Sequence, residues 1–194
     1  MTETSPVFLL DRATRKLRDA IFVDDVPPEL VSQVQSAWSP HFAGSTAEHG
    51  HWDWNKKYEL VEQAPLVYRV FGIVVDEEMQ GLMLVSTAGK NCRETSQNGK
   101  PLVYIEYLAT APWNSADIVA EPRFSGVGKI FIRAAIELSL EEEFGGRIGL
   151  HSLPQAETWY RDVCGMTDLG ADTKYQGLHY FEMTPQQIEA FMRG

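Results

Sequence analysis

The sequence predicts an α+β fold, on three observations. Three runs rich in β-branched and aromatic residues, 66–75 (LVYRVFGIVV), 80–87 (QGLMLVST) and 102–110 (LVYIEYLAT), read as strands. A long segment, residues 127–144, carries Ile130, Phe131, Ala134, Ala135, Ile136 and Leu138 at helical spacing on one broad face. A short strand, 147–151, follows the Gly145-Gly146 pair that stops this helix.

The remaining elements are read in chain order. Val7 to Leu10 is an apolar stretch followed by the charged DRATRKLRDA, and predicts an edge strand and a short helix. Pro27-Pro28 opens a helix over about 29–38, since proline suits a first turn whose N–H has no intrahelical acceptor. Residues 39–57 mix small residues, histidines and tryptophans without periodicity and predict a long loop or broken helix. The acidic Asp76-Glu77-Glu78 turn joins the first two apolar runs into an antiparallel hairpin, and Asn98-Gly99 marks another turn. Pro112 ends the third run. Pro154 starts a second helix to about Val163, the chain alternates again near 177–183, and a short helix begins at Pro185. The first 60 residues form an N-terminal extension and acceptor-side segment, and residues 60–194 form the core of what is expected to be one compact domain.

Composition narrows the function classes. Lys plus Arg is 17 against 27 Asp plus Glu, a formal net charge of −10, which disfavours nucleic acid and suits a cationic amine. No apolar run approaches the ~20 residues that span a bilayer, and the start has no signal-peptide pattern, so no membrane partner is expected. Cys92 and Cys164 are too few for a disulfide framework, which points to a reducing cytoplasm. His49, His51 and Asp53 invite a metal reading, but three close residues in one loop do not make a zinc site, and no metal is expected.

The chemistry lies where a strand, a glycine-containing loop and a helix meet. A helix N-terminus offers unpaired amides and the positive end of the dipole. Gly126 and Gly128 would let a phosphate approach them, with Arg123 and Lys129 adding charge-assisted contacts. Neither the Walker pattern nor a complete dinucleotide fingerprint is present.

Arg123-x-x-Gly126-x-Gly128 instead resembles the R/Q-x-x-G-x-G/A loop of the GNAT superfamily of N-acetyltransferases. The strand YIEYLAT followed by a proline is similar to that superfamily's fourth strand. SLPQAETWYRDVCGM is similar to its N-x-x-A-x-x-x-Y-x-x-x-G-[FM] segment through Ala156, Tyr160, Gly165 and Met166, with one extra residue before Gly165 and Leu153 in place of the asparagine. The resemblance covers residues 60–183 well and the first 60 poorly.

That resemblance implies a mixed, twisted sheet flanked by helices and splayed between its fourth and fifth strands, with acetyl-CoA as cosubstrate and an amine, small molecule or peptide, as acceptor. It implies that backbone groups of Leu108, Ala109 and Thr110 hold the pantetheine arm, and that amides from Phe124, Ser125, Gly126, Val127, Gly128 and Lys129 hold the pyrophosphate. It places Tyr160 as the acid that protonates the leaving thiolate. It also leaves room for a homodimer. Glu106 is the candidate base: it shares a strand face with Leu108 and Thr110, and burial would raise its pKa. His151 is the rival base, and a hydrogen-bonded structural histidine is the other reading of that residue. Trp52 and Trp54 are candidate walls of an acceptor pocket, or anchors of a loop on the core. The alternative function is a catalytically silent acyl-CoA-binding module, which Leu153 keeps open.

Overall fold

A computed structural model describes residues 3–194. The chain divides into two compact units, Met1–Leu84 with Tyr107–Phe131, and Val85–Glu106 with Ile132–Gly194. This partition differs from one drawn at residue 60. Among the described residues nine strands form a mixed sheet, and among the pairs of known register only β5 and β7 run parallel. No helix among them is long and apolar enough to cross a membrane.

In the first unit the strand order is β6-β1-β2-β3-β4-β5. Strands β1 (Thr4–Asp11) and β2 (Lys16–Val23) form an antiparallel hairpin. The helix expected in DRATRKLRDA is therefore corrected. The Asp11 carboxylate accepts from the amides of Ala13 and Thr14, both at 3.0 Å, and Arg15 takes φ 56°, so the polar residues make a tight turn. Leu9 and Ala20 are buried, while Phe8, Leu17 and Ile21 stay exposed.

Helix α1 (Pro28–Trp38) forms as expected, and a 3₁₀ turn, Ser39–Phe42, follows. Helix α2 (Trp54–Gln63) takes up the end of the segment expected as a long loop or broken helix and runs past it. Asp53 starts it, its side chain accepting from the amides of Asn55 and Lys56 at 3.0 and 3.2 Å. Both helices pack on one apolar cluster that includes Val31, Val34, Trp38, Trp54, Val70 and Leu82. The hairpin of β3 (Tyr68–Val75) and β4 (Glu78–Ser86) agrees with the sequence, with Asp76 and Glu77 both at positive φ in the turn. The third expected strand is β5 (Val103–Thr110).

Strand β6 (Phe124–Ser125) is two residues long and pairs with Leu10 and Asp11 of β1. Helix α3 (Val127–Glu141) starts directly after it. It ends before the glycine pair, because Glu143 itself turns to φ 61°.

The second unit orders its strands β5-β7-β9-β8. Strand β7 (Ile148–Ser152) runs parallel to β5, and β9 (Leu178–Glu182) and β8 (Thr167–Asp172) complete it antiparallel. Strand β8 has no counterpart in the sequence reading. It is polar, and its ladder is interrupted between Asp168 and Ala171, where Gly170 sits at φ 88°. The single helix expected from Pro154 is corrected to a 3₁₀ turn, Pro154–Ala156, and a π turn, Trp159–Val163. Helix α4 (Pro185–Arg193) ends the chain behind a Thr184–Gln187 capping box.

Candidate active site

The glycine loop is fixed from three sides within the first unit. The Phe124 amide donates to Asn114 Oδ1 at 2.9 Å, the Arg123 amide to the Trp113 carbonyl at 2.9 Å, and the Arg12 amide to the Arg123 carbonyl at 3.0 Å. The Phe124 amide is therefore already engaged. That narrows the expected donor set to the groups beyond it. The Ile130 amide bonds the Gly126 carbonyl at 3.1 Å, closing the first turn of α3, so the amides of Val127, Gly128 and Lys129 belong to the orphan donors of a helix start.

Gly126 is exposed at φ 106°, a backbone region that L side chains rarely adopt, and the nearest atom to an added Cβ would be Leu9 Cδ2 at 3.7 Å. Such a cradle fits a pyrophosphate. Arg123 turns its guanidinium to Glu78 at 2.5 Å, and Lys129 is exposed. Leu108, Ala109 and Thr110 occupy the second half of β5.

The parallel ladder between β5 and β7 runs through Val103–Ile148, Tyr104–Gly149 and Ile105–Leu150 and stops there. Glu106 and His151 are the first residues beyond it. The Ser86 hydroxyl donates to Glu106 Oε1 at 2.9 Å. Burial raises the Glu106 pKa, with the Ser86 hydrogen bond and the Lys90 charge opposing.

His151 is held at both ring nitrogens, Nδ1 by the Tyr104 hydroxyl at 2.6 Å and Nε2 by Asp172 Oδ2 at 3.1 Å. A carboxylate only accepts, so Nε2 carries the hydrogen and Nδ1 accepts from Tyr104. The imidazole stacks on Tyr175 with centroids 3.7 Å apart. Burial lowers its pKa and so favours the neutral ring, against the opposing pull of Asp172 toward the charged one. Arg93 in turn binds Asp172 at 2.5 Å and helps hold its pKa down at about 2. Both ring nitrogens of His151 are thus engaged, in the chain Tyr104–His151–Asp172–Arg93. An open cleft of about 360 Å³, lined by Arg93, Gly170, Asp172, Thr173 and Tyr180 among others, reaches the Asp172 end.

Tyr160 lies on the π turn, 7% exposed, with Trp159 and Phe181 rings at 5.0 and 5.9 Å. Burial pushes its phenol well above the ordinary range, so it keeps its proton. The Cys164 amide reaches back five residues to the Trp159 carbonyl at 3.1 Å, and the Met166 amide bonds the Tyr160 carbonyl at 3.0 Å. The extra residue between Tyr160 and Gly165 is thus taken up as a π turn.

The two tryptophans separate. Trp54 is 3% exposed and packs in the core, so burial corrects the expectation that it walls a pocket. Trp52 is half-buried and meets Tyr107 edge-on, centroids 5.1 Å apart. Lys57 Nζ lies 3.3 Å from the Tyr107 ring centroid and 4.7 Å from that of Trp52. The contacts of His151 with Tyr104 and Asp172, and that of Lys57 with Tyr107, were not legible, because the partners lie far apart in the chain. Among the described residues no group of three or more His, Cys, Asp and Glu side chains is placed to hold a metal.

Comparison with solved structures decides the fold. The aminoglycoside acetyltransferase AAC(6')-Ib, in complex with coenzyme A and kanamycin, aligns with TM-score 0.55 and 17% identity over 86% of this chain and 98% of that one. A Desulfovibrio desulfuricans protein assigned to the GNAT acetyltransferases aligns with TM-score 0.53 and 16% identity over 86% and 99%. This is the GNAT fold. Mycobacterium smegmatis RimJ, in complex with CoA-disulfide, shares it with TM-score 0.50 and 14% identity over 95% and 88%. No family model and no curated protein matches the sequence. At these identities the likeness fixes the GNAT architecture, and the chemistry has to be argued from the residues.

Proposed function

We propose that the chain is an acyl-CoA-dependent N-acyltransferase that carries an acetyl group to an amine, small molecule or peptide. The observation that carries this reading is the start of α3: a glycine at φ 106°, followed by first-turn amides without intrahelical acceptors, after a pinned two-residue strand. Solved structures of similar fold that hold coenzyme A support a pyrophosphate there.

Acetyl-CoA supplies an acetyl group activated as a thioester. The amides of Val127, Gly128 and Lys129 bind its pyrophosphate, and the backbone of Leu108–Thr110 orients its arm as an added strand would. Glu106 receives the proton of the amine. Ser86 occupies Oε1, which leaves Oε2 for that task, and the raised pKa makes the carboxylate a stronger base than an exposed one. Tyr160 retains its proton and donates it toward the departing sulfur. The acidic surface favours a cationic acceptor.

Thiol release from acetyl-CoA, followed over a panel of polyamines, aminoglycosides and peptides, tests the reading. Turnover above the hydrolytic background with one class of amine is the expected result. Tight donor binding without turnover for any amine would favour the silent acyl-CoA-binding module instead, a reading that the burial of Tyr160 and the presence of Leu153 support.

A further inference from the structure

Lys57 stands in an unusual place for a lysine. It lies in the first turns of α2, behind the Asp53 cap, and its side chain is half-buried rather than extended into solvent. Its amine faces the rings of Tyr107 and Trp52, which meet at 75° and form a two-walled notch. The next residue after Tyr107 is Leu108, where the backbone run proposed to hold the acyl donor begins. Lys56, its immediate neighbour, is exposed. Among the described residues, the amine seated on the Tyr107 ring is therefore the chain's own.

We propose that Lys57 is an acyl-accepting residue, a self-modification site that takes an acetyl group from the donor bound by the same chain. This rests on the acyl-CoA-dependent reading above. In the step, neutral Nζ forms a bond to the thioester carbonyl carbon and the C–S bond breaks. The sulfur leaves as thiolate and takes up the proton that the new amide nitrogen sheds, so the products are Nε-acetyl-lysine and free thiol, with no change in oxidation state. Burial lowers the Lys57 pKa to about 8, with Asp53 opposing. At neutral pH this raises the free-amine fraction over that of an exposed lysine by at most ~200-fold, since the ring faces favour the ammonium. Acetylation removes the charge from the notch and leaves a neutral amide between the rings.

The test is peptide mass spectrometry of the full chain after incubation with isotope-labelled acetyl-CoA at pH 8, with donor binding measured separately by calorimetry. Lys57 should gain label roughly tenfold or more faster than exposed Lys56, because burial enlarges the free-amine fraction of Lys57. Gly126→Asp should remove that excess and leave the slow labelling of Lys56. Lys57→Arg, which keeps a cation in the notch, should lower the number of acetyl groups on the intact chain by one. Donor binding with Lys57 labelled no faster than Lys56 overturns the proposal and leaves the acyltransferase reading standing. Equal Lys57 labelling in Gly126→Asp also overturns it, because the acetyl group would then arrive from solution. Absence of donor binding to the unaltered chain defeats both.

Discussion

Gly81 on β4 lies beneath the start of α3, and a single methyl there probes how that helix is seated. A Cβ at Gly81 would lie 2.6 Å from Val127 Cγ1, 2.7 Å from Phe131 Cε2 and 3.1 Å from the Ala109 carbonyl oxygen. Val127 and Phe131 are buried at 2% and 0% exposure, and the third atom is backbone of β5, so none can swing aside. Gly81→Ala therefore has to lift the first two turns of α3. Overpacking of this kind costs about 1–3 kcal/mol. At ~2–4 °C per kcal/mol for a chain of this size, Tm should fall by roughly 2–12 °C. The lift also displaces the amides of Val127, Gly128 and Lys129, so acetyl-CoA should bind more weakly than the stability loss alone would cause. Thermal and urea unfolding give the first quantity, and calorimetry well below Tm gives the second. Unchanged Tm together with unchanged donor affinity would refute the close seating of α3 on β4, and with it the placement of the loop.

Four further outcomes are expected. Gly126→Asp puts a charged side chain at a backbone position of φ 106° and should abolish acetyl-CoA binding by calorimetry; equal affinity would remove the loop from the site. Tyr160→Phe should lower kcat by ~10²-fold with donor affinity unchanged, and unaltered turnover would make the hydroxyl structural. Burial raises the Glu106 pKa, so the rate should climb as pH rises through a value above the ordinary 4.5. Glu106→Gln should remove that limb and recover part of the rate at high pH, whereas His151→Gln should keep the limb, and the reverse pattern would exchange their roles. Asp172 has its pKa lowered from 3.8 to about 2, so its stabilising contribution is present above the ordinary value and is lost as pH falls through about 2. Asp172→Asn should lower Tm at pH 6 and converge with the unaltered chain at the acidic end; a constant Tm difference across that range would contradict the assignment.

The parts of the fold legible in the sequence are those whose side chains report their own surroundings. Strands β3, β4 and β5 are buried and β-branched, and α3 repeats its apolar residues at helical spacing. The β1–β2 hairpin escaped because its turn is charged and its register depends on the capping carboxylate of Asp11 rather than on apolar alternation. Helix α2 escaped because its start is marked by Asp53 alone amid tryptophans and histidines, and β8 because a bulge at Gly170 breaks its period. In the site, Glu106 stood out as a carboxylate on an apolar strand. A hydrogen-bonded His151 was among the sequence readings, but its partners could not be read, since Tyr104 and Asp172 lie 47 and 21 residues away in the chain. Trp54 and Trp52 are chemically alike in sequence, and only the packing of α2 on the core assigns one to the interior.

The pairing of β6 with β1 joins two stretches of chain more than a hundred residues apart. Phe124 and Ser125 owe their strand geometry to Asp11 and Leu10, and the Arg12 amide grips the Arg123 carbonyl just beside them. The β1–β2 hairpin is thus a brace for the glycine loop. A chain trimmed to begin at α1 would keep Arg123 to Lys129, yet it would release one side of that loop. Domain boundaries drawn for expression, and fusions joined inside the Arg12–Arg15 turn, act at a distance on the loop that begins at Arg123.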